Sequence, residues 1–88
     1  MSDEINKARE QEIEDIKAVM RLEAGRRFMY RLLVRAGVYE TSYIPGAAES
    51  NTFFREGKRN IGLWTMTELE ESAPGSFLKM MEEAQNAN

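Results

Sequence analysis

Apolar residues recur at three- and four-residue intervals along most of the chain, the period of one face of an α-helix. Ile13, Ile16 and Met20 follow this spacing, with Val19 beside them, and predict a first helix over 3–20 whose second half is amphipathic. Ile5 is the one large apolar anchor of its first half after Met1. Residues 1–12 therefore read as a flexible acidic N-terminal segment, its first ten residues frayed or ordered by a partner. Gly25 marks a break or bend. A second helix then runs to about Ala36, with Phe28, Leu32 and Ala36 in one apolar row and Met29 and Leu33 in the next. Gly37 is placed to end it, with Val38 positioned for the hydrophobic contact of a Schellman ending.

Residues 38–49 read as a packed connector, because Tyr39, Tyr43 and Ile44 flank the turn signal Pro45-Gly46. A long third helix is expected from about Asn51 to Glu71, capped by Ser50 or Asn51. Phe54, Ile61 and Leu69 mark one row, flanked by Phe53, Leu63 and Trp64. Gly57 and Gly62 lie inside it and each costs up to ~1 kcal/mol relative to alanine, acceptable where a neighbouring helix approaches closely. Ala73-Pro74-Gly75 ends this helix and opens a fourth, with Pro74 in a first-turn position where its missing N–H is not needed. Phe77, Leu78 and Met81 give that helix an apolar face. The expected fold is all-α: a small bundle of about four helices in a single domain over residues 13–84. Gly25, Gly57 and Gly62, with Phe28, Phe54 and Trp64, are the expected helix-packing positions.

Eighty-eight residues make one domain with a small core and marginal lone stability. The net charge of −3 is unlike that of a general nucleic-acid binder. The charges fall in blocks. Residues 1–20 hold six acids and three bases, residues 21–59 eight bases and four acids, and residues 60–88 five acids and one base. A basic middle between acidic ends suits electrostatic contacts within the chain or between copies. Cysteine and histidine are absent, which removes disulfides, thiolate nucleophiles, the commonest general base and the commonest metal ligand. The carboxylates lie in surface-like runs such as Glu70-Glu71 and Glu82-Glu83, without sign of the buried cleft that splits a catalytic pair. No enzyme, cofactor or metal is expected. Neither a signal peptide nor a membrane span is expected, since no apolar run is long enough.

Gly57 and Gly62 have the separation of a phosphate-binding loop, but Leu63-Trp64 stands where lysine and a hydroxyl residue are needed. Arg27, Arg31 and Arg35 form a helical stripe with Arg26 beside it, and Lys58 and Arg59 add to the basic block. Such a stripe follows a phosphate backbone or meets a partner. The plainer account is a solvated face paired with acids, since Glu23 precedes Arg27 by four residues. Trp64, Phe53, Phe54 and Phe28 have the faces to stack on bases, yet at helical spacing they read as core. Met20, Met29, Met66, Met80 and Met81 suit either an adaptable contact surface or gaps in a core.

Two stretches carry a resemblance. Residues 23–39 include Gly25-Arg26-Arg27-Phe28 and Leu32-Leu33 before Gly37, and residues 51–63 include Phe54-Arg55-Glu56-Gly57-Lys58-Arg59-Asn60-Ile61-Gly62. Together they resemble a family of small tailed-bacteriophage proteins typified by a Bordetella phage member, over roughly residues 13–81. Arg21-Leu22 departs from the pattern, standing where a helix-capping serine or threonine is usual. The resemblance implies a phage-encoded, all-helical protein made in the bacterial host cytoplasm, without known catalytic residues. Members tend to be encoded near structural genes of short-tailed phages, which implies a place in the virion. Gly25, Arg26, Arg27, Gly57, Arg59, Asn60 and Gly62 match the pattern. In our reading the glycines set helix contacts, and Arg26, Arg27 and Arg59 bridge helices or meet a partner.

The expected function is that of a minor virion protein. It docks in several copies on a symmetric assembly of phage structural proteins, the portal or head–tail connector, and leaves with the genome on ejection. Two alternatives stand beside it. One is a nucleic-acid-binding or packaging adaptor using Arg26, Arg27, Arg31, Arg35, Lys58 and Arg59. The other is a host-directed inhibitor presenting the acidic terminal helices.

Overall fold

A computed structural model describes the backbone of residues 2–40 and 49–87, and the side chains of residues 3–40 and 52–87. Among the described residues there are four helices and no strand: α1 Ser2–Arg21, α2 Glu23–Arg35, α3 Glu49–Ser72 and α4 Pro74–Asn86. Each helix touches the other three. The acidic segment 1–12 thus enters as the first half of α1, helical from Ser2. The expected caps of α3 fall inside that helix, which begins at Glu49, and the side chains of Ser50 and Asn51 lie outside the described residues. Tyr43, Ile44 and the Pro45-Gly46 turn also lie outside them.

The α1–α2 break comes three residues before Gly25, at Leu22, whose extended backbone (φ −88°, ψ 132°) separates the helices. Gly25 sits in the first turn of α2. A Cβ there would run into the Val19 carbonyl oxygen, so the glycine lets α2 start directly against the end of α1. At the other end of α2, Gly37 takes a left-handed φ of +77°. Its N–H donates to the Val34 carbonyl at 3.0 Å, and the Val38 N–H donates to the Leu33 carbonyl at 3.2 Å. Those two bonds form a Schellman ending. Val38 is buried with Leu33, which supplies its apolar contact. Pro74 opens α4 after Ala73, the last residue before the helix.

The core is small: Met20, Leu33, Ala36, Val38, Leu69, Ala73 and Met80. Met20, Leu33 and Met80 are its fully buried large side chains. Met29, Met66 and Met81 pack against it from partly buried positions. The five methionines after Met1 therefore belong in or beside the core, where flexible thioethers fill irregular gaps between short helices.

Arg26 binds three helices together. Its guanidinium donates to the Met20 and Arg21 carbonyls at 2.9 and 3.0 Å. Those are end-of-helix acceptors that α1 cannot satisfy itself. Arg26 also donates to both oxygens of Glu83 on α4, at 2.7 and 3.0 Å. Only 6% of Arg26 remains exposed. A second fork joins α1 to α3, where Arg9 donates to Glu68 at 2.8 and 2.6 Å. Each guanidinium holds its carboxyl below the usual carboxylate range through these hydrogen bonds, against the opposing pull of desolvation.

Candidate interaction surface

The inner side of α3 carries Gly62, Thr65, Leu69 and Ser72, all buried. At Gly62 a Cβ would lie 2.6 Å from Ala36 Cβ and 2.5 Å from Val38 Cγ2. The missing side chain is what lets the end of α2 seat on α3. Thr65 stays dry because its hydroxyl donates to the Ile61 carbonyl at 2.9 Å.

The outer side is different. Phe53, Phe54, Gly57, Ile61 and Trp64 share one face by their spacing of three and four residues. Phe53, Phe54, Ile61 and Trp64 keep 63–70% of their surface in water. Around Gly57 a Cβ would meet nothing within 4 Å. This corrects the packing expected from sequence for Phe54, Trp64 and Gly57. The third helix has two apolar sides: the chain's own helices cover the side of Gly62 and Leu69 and leave Phe53, Phe54, Ile61 and Trp64 open. Phe28 is also corrected: it stands more than half exposed on α2, with the Arg31 guanidinium 5.8 Å from its ring centre. The Phe28–Leu32–Ala36 row turns outward at its first member because Met29 and Leu33 hold the inner position.

One more turn along the outer row of α3 comes Glu68, the partner of Arg9. Helix α1 thus covers the row at Glu68 and leaves it open from Trp64 back to Phe53. Lys58 flanks the open part, while Arg55 and Arg59 fall on the opposite side of α3 by the same spacing and are partly buried. Lys58 lies 5.7 Å from the Phe54 ring centre. Among the described residues, Arg55 Nη1 and Arg59 Nε are shielded from solvent without a hydrogen-bond partner.

The arginines of α2 separate by role. Arg26 faces inward, so it is removed from the expected phosphate-contact set: its donors serve carbonyls and Glu83. Arg27 is exposed and paired with Glu23 at 3.0 Å. Arg31 and Arg35 are exposed. A groove of about 750 Å³ between α2 and α4 gathers Arg27, Arg31 and Lys79, but Glu23, Glu82 and Glu83 line it too. Bases and acids alternate there, and no cationic track results. Among the described residues no cluster of acids forms a metal site. No helix among them is long and apolar enough to cross a membrane.

Sequence reasoning gave Arg26 two roles, a bridge between helices and a partner or phosphate contact, and the structure shows the bridge. A signal was present: a cation in the first turn of a helix opposes the helix dipole and needs compensation from elsewhere.

The family pattern of Bbp19-like phage proteins matches residues 16–82. The chain belongs to the Bbp19-like phage protein family. No curated protein and no solved structure matches it. The part shared with the Bbp19-like family runs from the second half of α1 through most of α4. It contains Arg26 with its Met20 and Arg21 acceptors, the Gly62 seat and the whole open row of α3, and stops one residue before Glu83. The exposed first half of α1 precedes it.

Proposed function

We propose that this Bbp19-like protein is a non-enzymatic minor component of the phage particle. It docks on a larger assembly of phage structural proteins, the portal or head–tail connector, and leaves with the genome on ejection. The observation that carries this reading is the open row of α3, where Phe53, Phe54, Ile61 and Trp64 stand in water. Single exposed apolar residues are ordinary, but a contiguous run on one helix face marks a contact surface. Buried aromatic anchors such as Trp64 dominate the energy of protein interfaces. The small core favours the same conclusion, since a chain this short gains much from contacts outside itself.

Quantitative mass spectrometry of purified, nuclease-treated particles tests the reading. The expected result is this chain at a fixed copy number near a multiple of the assembly's symmetry. Its absence from particles overturns the proposal.

The nucleic-acid adaptor has less support. It loses Arg26 to the interior, and Arg27 and Arg31 share their groove with carboxylates. On our reading, titration with duplex DNA at two salt concentrations gives no tight, salt-sensitive binding. A steep loss of affinity with salt would establish phosphate contacts and revive the adaptor.

A further inference from the structure

The first half of α3 stands clear of the core. The buried positions of this helix begin at Gly62, and none of residues 52–61 is buried. The chain is spread to match, with a Cα radius of gyration of 15.5 Å and extents of 49 × 41 × 15 Å. A compact chain of this length has a radius of about 12 Å. A helical segment this short is marginal in water unless something packs on its apolar face.

The order of side chains along the open row selects what packs there. Phe54 and Trp64 lie equally far from the midpoint of the row, and so do Gly57 and Ile61. Turned end for end on a second copy, the row sets Phe54 against Trp64 at both ends. In the middle it sets Ile61 against Gly57, where a Cβ would meet nothing within 4 Å in its own chain. Aromatic then faces aromatic, and large faces small, the alternation that lets two surfaces interdigitate. We propose that the open row of α3 pairs antiparallel with the same row of a second copy, about a two-fold axis between Gly57 and Ile61.

The charges allow like to meet like. An antiparallel two-fold contact brings each edge of the row against the same edge of its copy. One edge carries Asn60, exposed and near the axis, whose amide is both donor and acceptor for its mate. Lys58 borders the other edge. Its ammonium lies along its own helix at Phe54, 5.7 Å from the ring centre, which draws it away from the axis and from the partner's lysine. Arg55, Glu56 and Arg59 fall outside the row by their spacing. Glu68, at its end, is paired with Arg9.

The area is sufficient. Phe53, Phe54, Ile61 and Trp64, at 63–70% exposure, offer about 500 Å² per copy. Two copies give about 1,000 Å², where specific association begins. Helices packed through i±4 rows such as Phe53-Gly57-Ile61 cross at about −50°, and their ends diverge from the crossing point. That divergence leaves room for α1 over Glu68. The pairing rests on the reading of the α3 row as a contact surface, and it names the first partner.

Sedimentation equilibrium of the purified full chain over a wide concentration range tests it, with Gly57→Leu and Trp64→Ser beside the wild type. The wild type is expected to be a reversible dimer. Gly57→Leu fills the space that receives Ile61 and adds apolar surface at a position open in its own chain. Both variants are expected to keep their helical circular dichroism and to weaken the dimer at least about tenfold. Non-specific apolar association would instead strengthen in the leucine variant, and that result overturns the proposal. So does a chain that stays monomeric throughout, or one that assembles beyond the dimer. A second measurement uses the absence of native cysteine. Gly57→Cys chains mixed with Ile61→Cys chains are expected to form the mixed disulfide in excess of either self-pair, and random pairing contradicts the register. A monomer in solution that still enters particles through its α3 row defeats the second copy and leaves the docking function standing. A dimer that never enters particles does the reverse.

Discussion

The Arg26 guanidinium and the Glu83 carboxylate meet in a two-bond fork, 2.7 and 3.0 Å, between the first turn of α2 and the last turn of α4. Each is misplaced for its own helix. A cation sits at the positive end of one dipole and an anion at the negative end of the other. Each is suited to the other, and the remaining donors of Arg26 reach the carbonyls that end α1. One side chain therefore fixes the relative position of three helices.

Replacing that side chain separates charge from geometry. Arg26→Lys keeps the charge but lacks the planar fork that serves a carboxylate and two carbonyls together. Thermal unfolding followed by circular dichroism is expected to rank the wild type first, Arg26→Lys well below it and Arg26→Ala lowest. A lysine variant as stable as the wild type would show that charge alone suffices.

The same fork sets the acid limb of stability. Arg26 holds the Glu83 carboxyl, and Arg9 the Glu68 carboxyl, below the ordinary glutamate range. A group with a lowered folded pKa contributes stability that is fully present above its unfolded value of about 4.3 and lost as pH falls through the folded value. The arginines stay charged throughout, so the carboxylates alone titrate. Urea midpoints are expected to be flat from about pH 7 to about pH 5 and to fall below that. Glu83→Gln lowers the plateau and makes the acid fall shallower. An unchanged pH profile in that variant would contradict the assignment.

Two glycines on one helix give opposite signs. Gly62→Ala places a methyl against Ala36 and Val38 at distances no unshifted neighbour tolerates. It is expected to destabilise by about 1–3 kcal/mol. Gly57→Ala meets nothing. It should stabilise the folded chain by up to about 1 kcal/mol, the helix propensity difference between the two residues. Chemical denaturation measures both, and equal effects would show that the seat of α2 on α3 is wrongly placed.

Much of this architecture was legible in the sequence. The spacing of Ile13, Ile16 and Met20, the Gly37-Val38 ending and the Ala73-Pro74 junction marked the helices well, because each depends on local chemistry. The outward turn of Phe54, Ile61 and Trp64 was not legible. Periodicity tells that a face is apolar but not what covers it, and α3 has two such faces and neighbours for one. The roles of the arginines were legible only in part: the Glu23–Arg27 spacing marked one pair, but Arg26 was open to both a helix bridge and a phosphate contact. Arg26 and Arg27 are adjacent, yet one is buried on Glu83 and the other lies in solvent beside Glu23. That difference arises from where α1 ends and α4 returns, which no local pattern contains.

The exposed row predicts a separation of stability from assembly. Phe54→Ser and Trp64→Ser remove side chains that already stand in water. Their folding free energies should stay within about 0.5 kcal/mol of the wild type, as for other surface changes. Met20→Ala, in the core, should cost about 2–5 kcal/mol.

The most direct test of the docking account is the particle content of phage carrying Trp64→Ser, measured by mass spectrometry against wild-type particles. The account predicts a fixed copy number for the wild type and a large loss of the variant chain from particles, with its folding and intracellular level unchanged. Equal incorporation of wild type and variant would contradict the claim that the open row of α3 is the surface through which this protein assembles.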